Sequence, residues 1–478
     1  MKRQGTLGSA GWSALDYWTQ QIAALLVFIV VGNIIGPAAV GVMTMGLLAM
    51  TLMMTLLLDG FSDALIQRET IDAEHFDTTF WILLGLGTLA GFALAASAWP
   101  LAALFAAPSL RHVMPLLAIC LPFVAITATY HGLLQRELQF RTLAIRTLIS
   151  QVFGFATAVV LSRRGFGADS LVAYYLVARI LEAVLVMPVS GIWPGLQVSR
   201  TAAASIVAFG RHRVGNQLLG FVVMQVDRFS AGLFLSAASV GFYSLAERIS
   251  SAMINGFSGV VGRVAFPVFS ARQTDTKAFL ETLRDFLSGV AIIALPVFVG
   301  LAVTSREIVG TLLNARWAPS APLLAIVALS GIAHSSNYLL TAAINARGRP
   351  DIPVRYSVVI MAARLACSLP AAWLGGLVAI AWANLVVTSL SAPLVVAFVR
   401  VQIPGVGRIV ATAALPAVGA VLVMAIATLL VGMLLAGQPF AILLVAKIAA
   451  GMIVYPAALY LLAPKDLIRR AASLVRRR

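Results

Sequence analysis

AALLVFIVVG, residues 23–32, opens a series of apolar runs of about twenty residues that ends with AILLVAKIAAGMIVYPAALYLL, residues 441–462. A run of that length crosses the roughly 30 Å hydrocarbon core of a bilayer as one helix. Working outward along the 478 residues, the pattern predicts fourteen spans: 12–34, 38–60, 79–103, 112–131, 144–162, 168–191, 214–236, 239–262, 285–304, 320–345, 354–375, 377–400, 410–432 and 440–462. Composition agrees, with 60% hydrophobic residues, 11% charged residues and a mean hydropathy of +0.96. A soluble chain of this size could not hide that much apolar surface. Very short turns, Gly36-Pro37, Ser236-Ala237-Ala238 and Gly437-Gln438-Pro439, make their flanking spans antiparallel hairpins. The fold class is therefore all-α and polytopic.

Basic residues orient the spans. With both termini cytoplasmic, 23 of the 34 Lys and Arg fall in inner segments and 5 in outer loops. That bias accounts for the net charge of +16 without a nucleic-acid partner. It places Arg136, Arg141 and Arg146 in a cytoplasmic segment and makes 305–319 the longest outer loop, with Trp317 at the outer interface. Lys2 and Arg3 precede a long apolar run with no small-residue cleavage site, so the first span reads as a retained helix.

Two halves resemble each other. VGNIIGPAAVGVMTM (31–45) matches AGLFLSAASVGFYSL (231–245) at a constant offset of 200, and the five residues from Pro115 to Ile119 recur from Pro322 to Ile326. Both matches fall at equivalent places in a six-helix count. An even number of spans per half makes the repeat parallel, an arrangement typical of transporters that rock one half against the other. The expected domains are a six-helix bundle over 1–191, a cytoplasmic linker over 192–213, a second bundle over 214–402, and two peripheral helices with a basic tail over 403–478.

Several chemistries are excluded. None of the four lysines follows a glycine, so no phosphate-cradling Gly-x-x-x-x-Gly-Lys loop exists. No Gly-x-Ser-x-Gly elbow occurs. The histidines at 75, 112, 131, 212 and 334 lack ligand spacing, and Cys120 and Cys367 lie in apolar spans. The expectation is neither enzyme nor metalloprotein, with no cofactor.

Function is then sought in charges at membrane depth, where an ionised group costs roughly 2.5–3.5 kcal/mol and needs a partner or a cavity. These are Asp16, Arg179, Glu182, Asp227, Arg228, Glu247, Arg248, Arg364 and Lys447, with Arg263 near an inner end. Arg179 and Glu182 share a helical face and can neutralise each other. Asp227 and Glu247 lie ten residues either side of Ala237, each followed by an arginine, so crossed pairing could neutralise all four. Arg364 has no acid within a helical turn, which points it toward a cavity. Lys447 lies near a helix end and can snorkel to the interface. Asp16 shares a polar face with Tyr17, Gln20 and Gln21. Arginine stays charged and offers a planar fork to phosphate oxygens, so the expected diphosphate-binding residues are Arg364, Arg228, Arg248 and Arg179. Asp16, Asp227, Glu247 and Glu182 are the expected coupling or ion-pair partners.

The chain resembles the oligosaccharide flippases of the MOP superfamily, the Wzx-like polysaccharide exporters. The resemblance runs over most of residues 6–402 and rests on Gly36-Pro37 with Gly41, the run Ala64 to Glu69, and Leu134 to Leu138 followed by Phe140-Arg141. It continues with Asp227, Gly241-Phe242-Tyr243, Arg248, Phe266-Pro267 and Gly348-Arg349-Pro350-Asp351; Ser236 replaces the usual glycine of the second small turn. It implies two six-helix bundles in a V shape around a cationic cavity. It further implies transport of an undecaprenyl-diphosphate-linked oligosaccharide across a bacterial inner membrane, for exopolysaccharide, capsule or O-antigen synthesis. Membrane lipids, a polysaccharide polymerase and a co-polymerase are the expected neighbours. A cation-coupled multidrug exporter of the same superfamily and a lipid II flippase are the competing readings.

Overall fold

The apolar runs form helices, and no strand occurs among the described residues. The structure, a computed structural model, describes residues 6–58, 73–349, 351–400 and 405–462. The Ala64–Glu69 motif, Lys2, Arg3, Pro350 and the basic tail lie outside them, as does the side chain of Arg263. In hydrocarbon every backbone polar group must be satisfied within the chain, and a helix does this segment by segment.

The chain divides into two compact units, Met1–Gly241 and Phe242–Arg478. The first holds α1 (Thr6–Ile35), α2 (Pro37–Leu57), α3 (Ala73–Ala96), α4 (Ala98–Leu104), α5 (Leu110–Ala118), α6 (Cys120–Arg136), α7 (Phe140–Arg163), α8 (Asp169–Ser190) and α9 (Arg200–Phe234). It also holds the first residues of α10 (Ala237–Ala271). The second unit continues with α11 (Thr276–Val303), α12 (Ser305–Leu312), α13 (Ser320–Ala346), α14 (Asp351–Val399), α15 (Val406–Ala413), α16 (Leu415–Leu434) and α17 (Phe440–Leu462). The division falls beyond α9, because α9 packs on α2 and α3. The sequence repeat and the packing units are therefore drawn at different places.

Eleven helices among the described residues are long and apolar enough to cross a membrane. One of them, α14, runs for 49 residues and breaks at Gly376 (φ 69°, ψ −156°), so it contains both expected spans 354–375 and 377–400. The helices α9 and α10, which cover 214–236 and 239–262, include side chains outside the described set and are not among the eleven.

The segments matched at an offset of 200 touch each other reciprocally within the first unit. A Cβ on Gly41 would overlap the Ala237 carbonyl, and one on Gly241 would overlap the Pro37 carbonyl. Each partner is the other's counterpart displaced by 200, which is the self-complementary pattern that two-fold-related segments require. Without a side chain at either glycine the two backbones reach direct contact. The preceding turns solve one problem in two ways. Gly36 adopts φ 85° ahead of Pro37 at the first helical position, whereas Ser236 caps with its hydroxyl, which accepts from Ser239 N at 3.2 Å.

In the first unit, Phe76 and Phe80 of α3, Tyr130, Leu133 and Leu134 of α6, Leu143 of α7 and Val186 of α8 form one buried cluster. The segment after α8 is tied down beside it. Trp81 Nε1 donates to the Gly195 carbonyl at 2.8 Å, Gly195 N to Asp77 Oδ1 at 2.9 Å, and the Tyr130 hydroxyl to the Ile192 carbonyl at 2.9 Å. In the second unit, Phe269, Phe279, Leu283, Phe298, Leu339 and Val395 join α10, α11, α13 and α14.

The final hairpin of α16 and α17 packs against α11 through Leu295, Val421, Met424 and Tyr455, and α17 also meets α12. The Tyr455 hydroxyl donates to the Ile292 carbonyl at 2.7 Å. The expected loop 305–319 is largely helical: it holds α12 and a 3-10 turn, Ala315–Trp317, capped by the Asn314 side chain. Trp317 is fully buried against Phe242 instead of marking an interface.

Candidate functional site

Charged side chains gather inside each unit, and they are balanced differently. In the first unit, α8 carries Arg179 and Glu182 one turn apart, and Arg179 Nη1 donates to Glu182 Oε2 at 2.7 Å. Spacing of three residues suffices for this pair. Glu182 is buried, while Arg179 keeps about a third of its side chain exposed. Asp16, on α1, accepts from Gln20 Nε2 at 3.2 Å through Oδ2, whereas its Oδ1 is shielded and takes no hydrogen bond among the described residues.

Arg146 joins this group, although its sequence placement was a cytoplasmic segment. The helix α7 begins at Phe140, earlier than the expected 144, so Arg146 sits well inside it and is only 6% exposed. The charges that act on it are those of Glu182, Asp16 and Arg179. Its Nε and Nη1 are buried without a hydrogen-bond partner among the described residues. His131, on α6, lies in the field of Arg146, Asp16 and Glu182. Nearby, the Tyr174 hydroxyl donates to Gln151 Oε1 and so links α8 to α7. The structure thus brings Asp16, Arg179 and Glu182 together, and adds Arg146 and His131.

Asp227 and Arg228 are on α9. Asp227 is buried, and Arg228 is half-buried with Nη1 donating to Gln225 Oε1 at 2.9 Å. Glu247 and Arg248 are half-buried on α10, in the second unit.

In the second unit, Arg364 is buried inside α14 and meets the hydroxyl of Thr388. Its Nη2 donates to Thr388 Oγ1 at 2.8 Å, across the break at Gly376. Asn384 Nδ2 in turn donates to the Tyr243 hydroxyl at 3.4 Å. A second polar knot joins α13 to α14: Asn337 Nδ2 donates to Ser391 Oγ and to the Tyr356 hydroxyl, and Tyr356 feels the charge of Arg364.

Lys447 does not snorkel. It is 6% exposed, and its Nζ donates to Glu307 Oε1 at 2.6 Å and to the Val303 carbonyl at 3.4 Å. Gly432 makes room for it, since a Cβ there would stand 2.6 Å from Lys447 Cε. Snorkelling fails because α12 folds over the end of α17 and supplies an acid at the same depth. Glu307 was hidden from sequence reading by its place in an expected loop, 140 residues from its partner. For Arg146 a local signal did exist: Phe140-Arg141 followed by the apolar positions of α7 permits an earlier helix start. Among the described residues no cluster of His, Cys, Asp and Glu could hold a metal ion.

A family model described as polysaccharide biosynthesis protein matches residues 30–322. The teichuronic acid biosynthesis protein TuaB of Bacillus subtilis is 24% identical over 56% of this chain and 56% of that protein. The succinoglycan biosynthesis transport protein ExoT of Rhizobium meliloti is 23% identical over 67% of this chain and 65% of that protein. The lipopolysaccharide biosynthesis protein WzxC of Escherichia coli is 24% identical over 68% and 67% respectively. The chain thus spans between a half and two thirds of the length of the first two of these relatives. Among solved structures, lipid II flippase MurJ in its inward closed conformation superposes with a TM-score of 0.77, at 14% identity over 96% of this chain and 99% of that one. An inward-facing multidrug resistance MATE family transporter of the MOP superfamily superposes with a TM-score of 0.60, at 16% identity over 81% and 98%. At these identities the likeness is one of fold, that of the MOP-superfamily transporters.

Proposed function

The chain belongs to the polysaccharide biosynthesis protein family, and from that premise we propose that it is a flippase for a lipid-linked oligosaccharide. The cargo is an undecaprenyl-diphosphate-linked repeat unit of an exopolysaccharide, capsule or O-antigen. It moves from the inner to the outer leaflet of a bacterial inner membrane by alternating access, without covalent chemistry. The family match carries this reading, and the chemistry of the membrane-depth side chains supports it. A diphosphate needs donors that remain charged at any physiological pH, and guanidinium groups supply them in both units.

In this reading both termini are cytoplasmic and the working halves are the six-helix repeats 1–191 and 214–402, joined by 192–213, with 403–478 as an addition. Arg364, Arg228, Arg248 and Arg179 are the proposed diphosphate contacts. Asp16, Asp227, Glu247 and Glu182 are the proposed coupling or ion-pair residues. A polymerase and co-polymerase would take up the delivered repeat units.

The test is depletion of the chain in cells where it is the sole candidate exporter of one surface glycan. Surface glycan should disappear while the lipid-linked repeat unit accumulates on the cytoplasmic leaflet, and supplying the chain should reverse both. Continued glycan display would overturn the reading. Arrest of peptidoglycan synthesis would favour the lipid II alternative, and a change confined to drug susceptibility would favour the exporter alternative.

A further inference from the structure

The first turns of α7 carry a pocket that the flippase reading does not use. It measures about 300 Å³ and is lined by Arg141, Thr142, Ile145, Arg146, Ile149 and Leu185, all from α7 and α8 within the first unit. Its composition is mixed in a particular way. Two arginines line it together with two isoleucines, a leucine and a single hydroxyl, that of Thr142. Ile145 and Ile149 remain exposed on the flank of the unit, and Leu148, Val152 and Phe153 extend that apolar surface along α7. The pocket therefore sets charged groups from the start of α7 beside an apolar surface, the same pairing that a lipid presents in its headgroup and acyl chains.

The two arginines are held in different ways. Arg141 is exposed, with its guanidinium 5.8 Å from the ring centre of Trp12. Indoles and arginines favour the headgroup level of a bilayer. Arg146 is buried, yet its Nε and Nη1 have no hydrogen-bond partner among the described residues. The carboxylates of Glu182 and Asp16 act on Arg146 electrostatically, but Glu182 Oε2 is bonded to Arg179 and Asp16 Oδ2 to Gln20. Arg146 thus has compensating charge around it and donors left over. Buried donors without partners are costly, and a phosphate oxygen drawn in beside Arg146 would offset that cost.

We propose that this pocket binds the phosphate group of an anionic membrane lipid, with the acyl chains lying along Ile145, Ile149 and the apolar flank of α7. Arg141 holds the headgroup from the interface and Arg146 from within the bundle. The fork geometry of two guanidinium groups around one phosphate is the strong form of this contact. Binding is a property of the folded chain and does not depend on the flippase reading.

Native mass spectrometry of the purified full chain, titrated with phosphatidylglycerol, tests it. One lipid should be retained more tightly than the rest, and Arg141→Gln and Arg146→Gln should each weaken it about ten-fold or more. Arg163→Gln, at the opposite end of α7, should leave it unchanged. Equal retention by the unaltered chain, Arg141→Gln and Arg146→Gln would overturn the proposal. Should Arg146→Gln fail to fold, Arg141→Gln decides, because its side chain is exposed. Titration with undecaprenyl diphosphate separates the sources of phosphate. Preference for phosphatidylglycerol supports a resident lipid, whereas arginine-dependent preference for the diphosphate would overturn it and make the pocket a substrate subsite. Binding of inorganic phosphate but of neither lipid would also overturn it.

Discussion

The two units handle buried charge by opposite means. In the first, Arg179 finds Glu182 one turn along its own helix, and Arg146 is left with charge nearby but donors unspoken for. In the second, Lys447 reaches an acid on a helix 140 residues away, and Arg364 is met by the neutral hydroxyl of Thr388. A local pair forms as soon as its helix does and stays together through any rearrangement of helices. A long-range pair forms only when two helices dock, so it also reports on their docking. The second arrangement ties stability to tertiary packing, and the first does not.

Breaking the long-range pair should have the largest effect. Glu307→Ala strands a buried ammonium and should cost about 3–5 kcal/mol, while Glu307→Leu with Lys447→Met together should restore most of the loss. Thermal unfolding in detergent and abundance in the membrane measure both. A double variant as unstable as the single one would mean that the pair is not what holds α12 on α17. The quartet of Asp227, Arg228, Glu247 and Arg248 comes next. Asp227→Ala should cost about 3 kcal/mol, and Asp227→Ala with Arg248→Ala should regain membrane abundance but not glycan export. Recovery of both would reduce the quartet to a structural clamp.

Glu182→Ala sharpens the comparison from the other side. It removes a charged hydrogen bond whose partner Arg179 is partly exposed, so about 2 kcal/mol is expected, less than for Glu307→Ala. The ranking of the two unfolding temperatures is the check. The smallest loss of stability should come from Thr388→Val, about 1.5 kcal/mol for one hydrogen bond from a charged donor. Arg364→Ala should instead lower export more than it lowers abundance, and Arg364→Lys should be intermediate if point charge serves better than nothing but worse than a fork. Normal export by both Arg364 variants would remove it from the substrate site.

Much of this was legible in the chain itself. The i,i+3 pair of Arg179 and Glu182 is written in the helical period, and the duplication was visible at Gly41 and Gly241 before their reciprocal contact was seen. The burial of Arg146 was missed because a basic residue near a span end reads equally as a loop residue or as the second turn of a longer helix. The partner of Lys447 was missed because 305–319, short and mixed in polarity, reads as a loop until α12 packs Val309 and Glu307 inward.

By itself the sequence determined the membrane class, the hairpins, the internal repeat and the family, because these depend on composition, on run length and on the period of a single helix. Only the tertiary structure decided that α9 packs with the first unit, that Glu307 answers Lys447, that Arg364 leans on Thr388, and that Arg146 has donors to spare. The physical reason is that a helix relates a residue only to those three or four positions away. Which face of one helix meets which face of another is set by packing along the whole length of both, and no local stretch of sequence contains it.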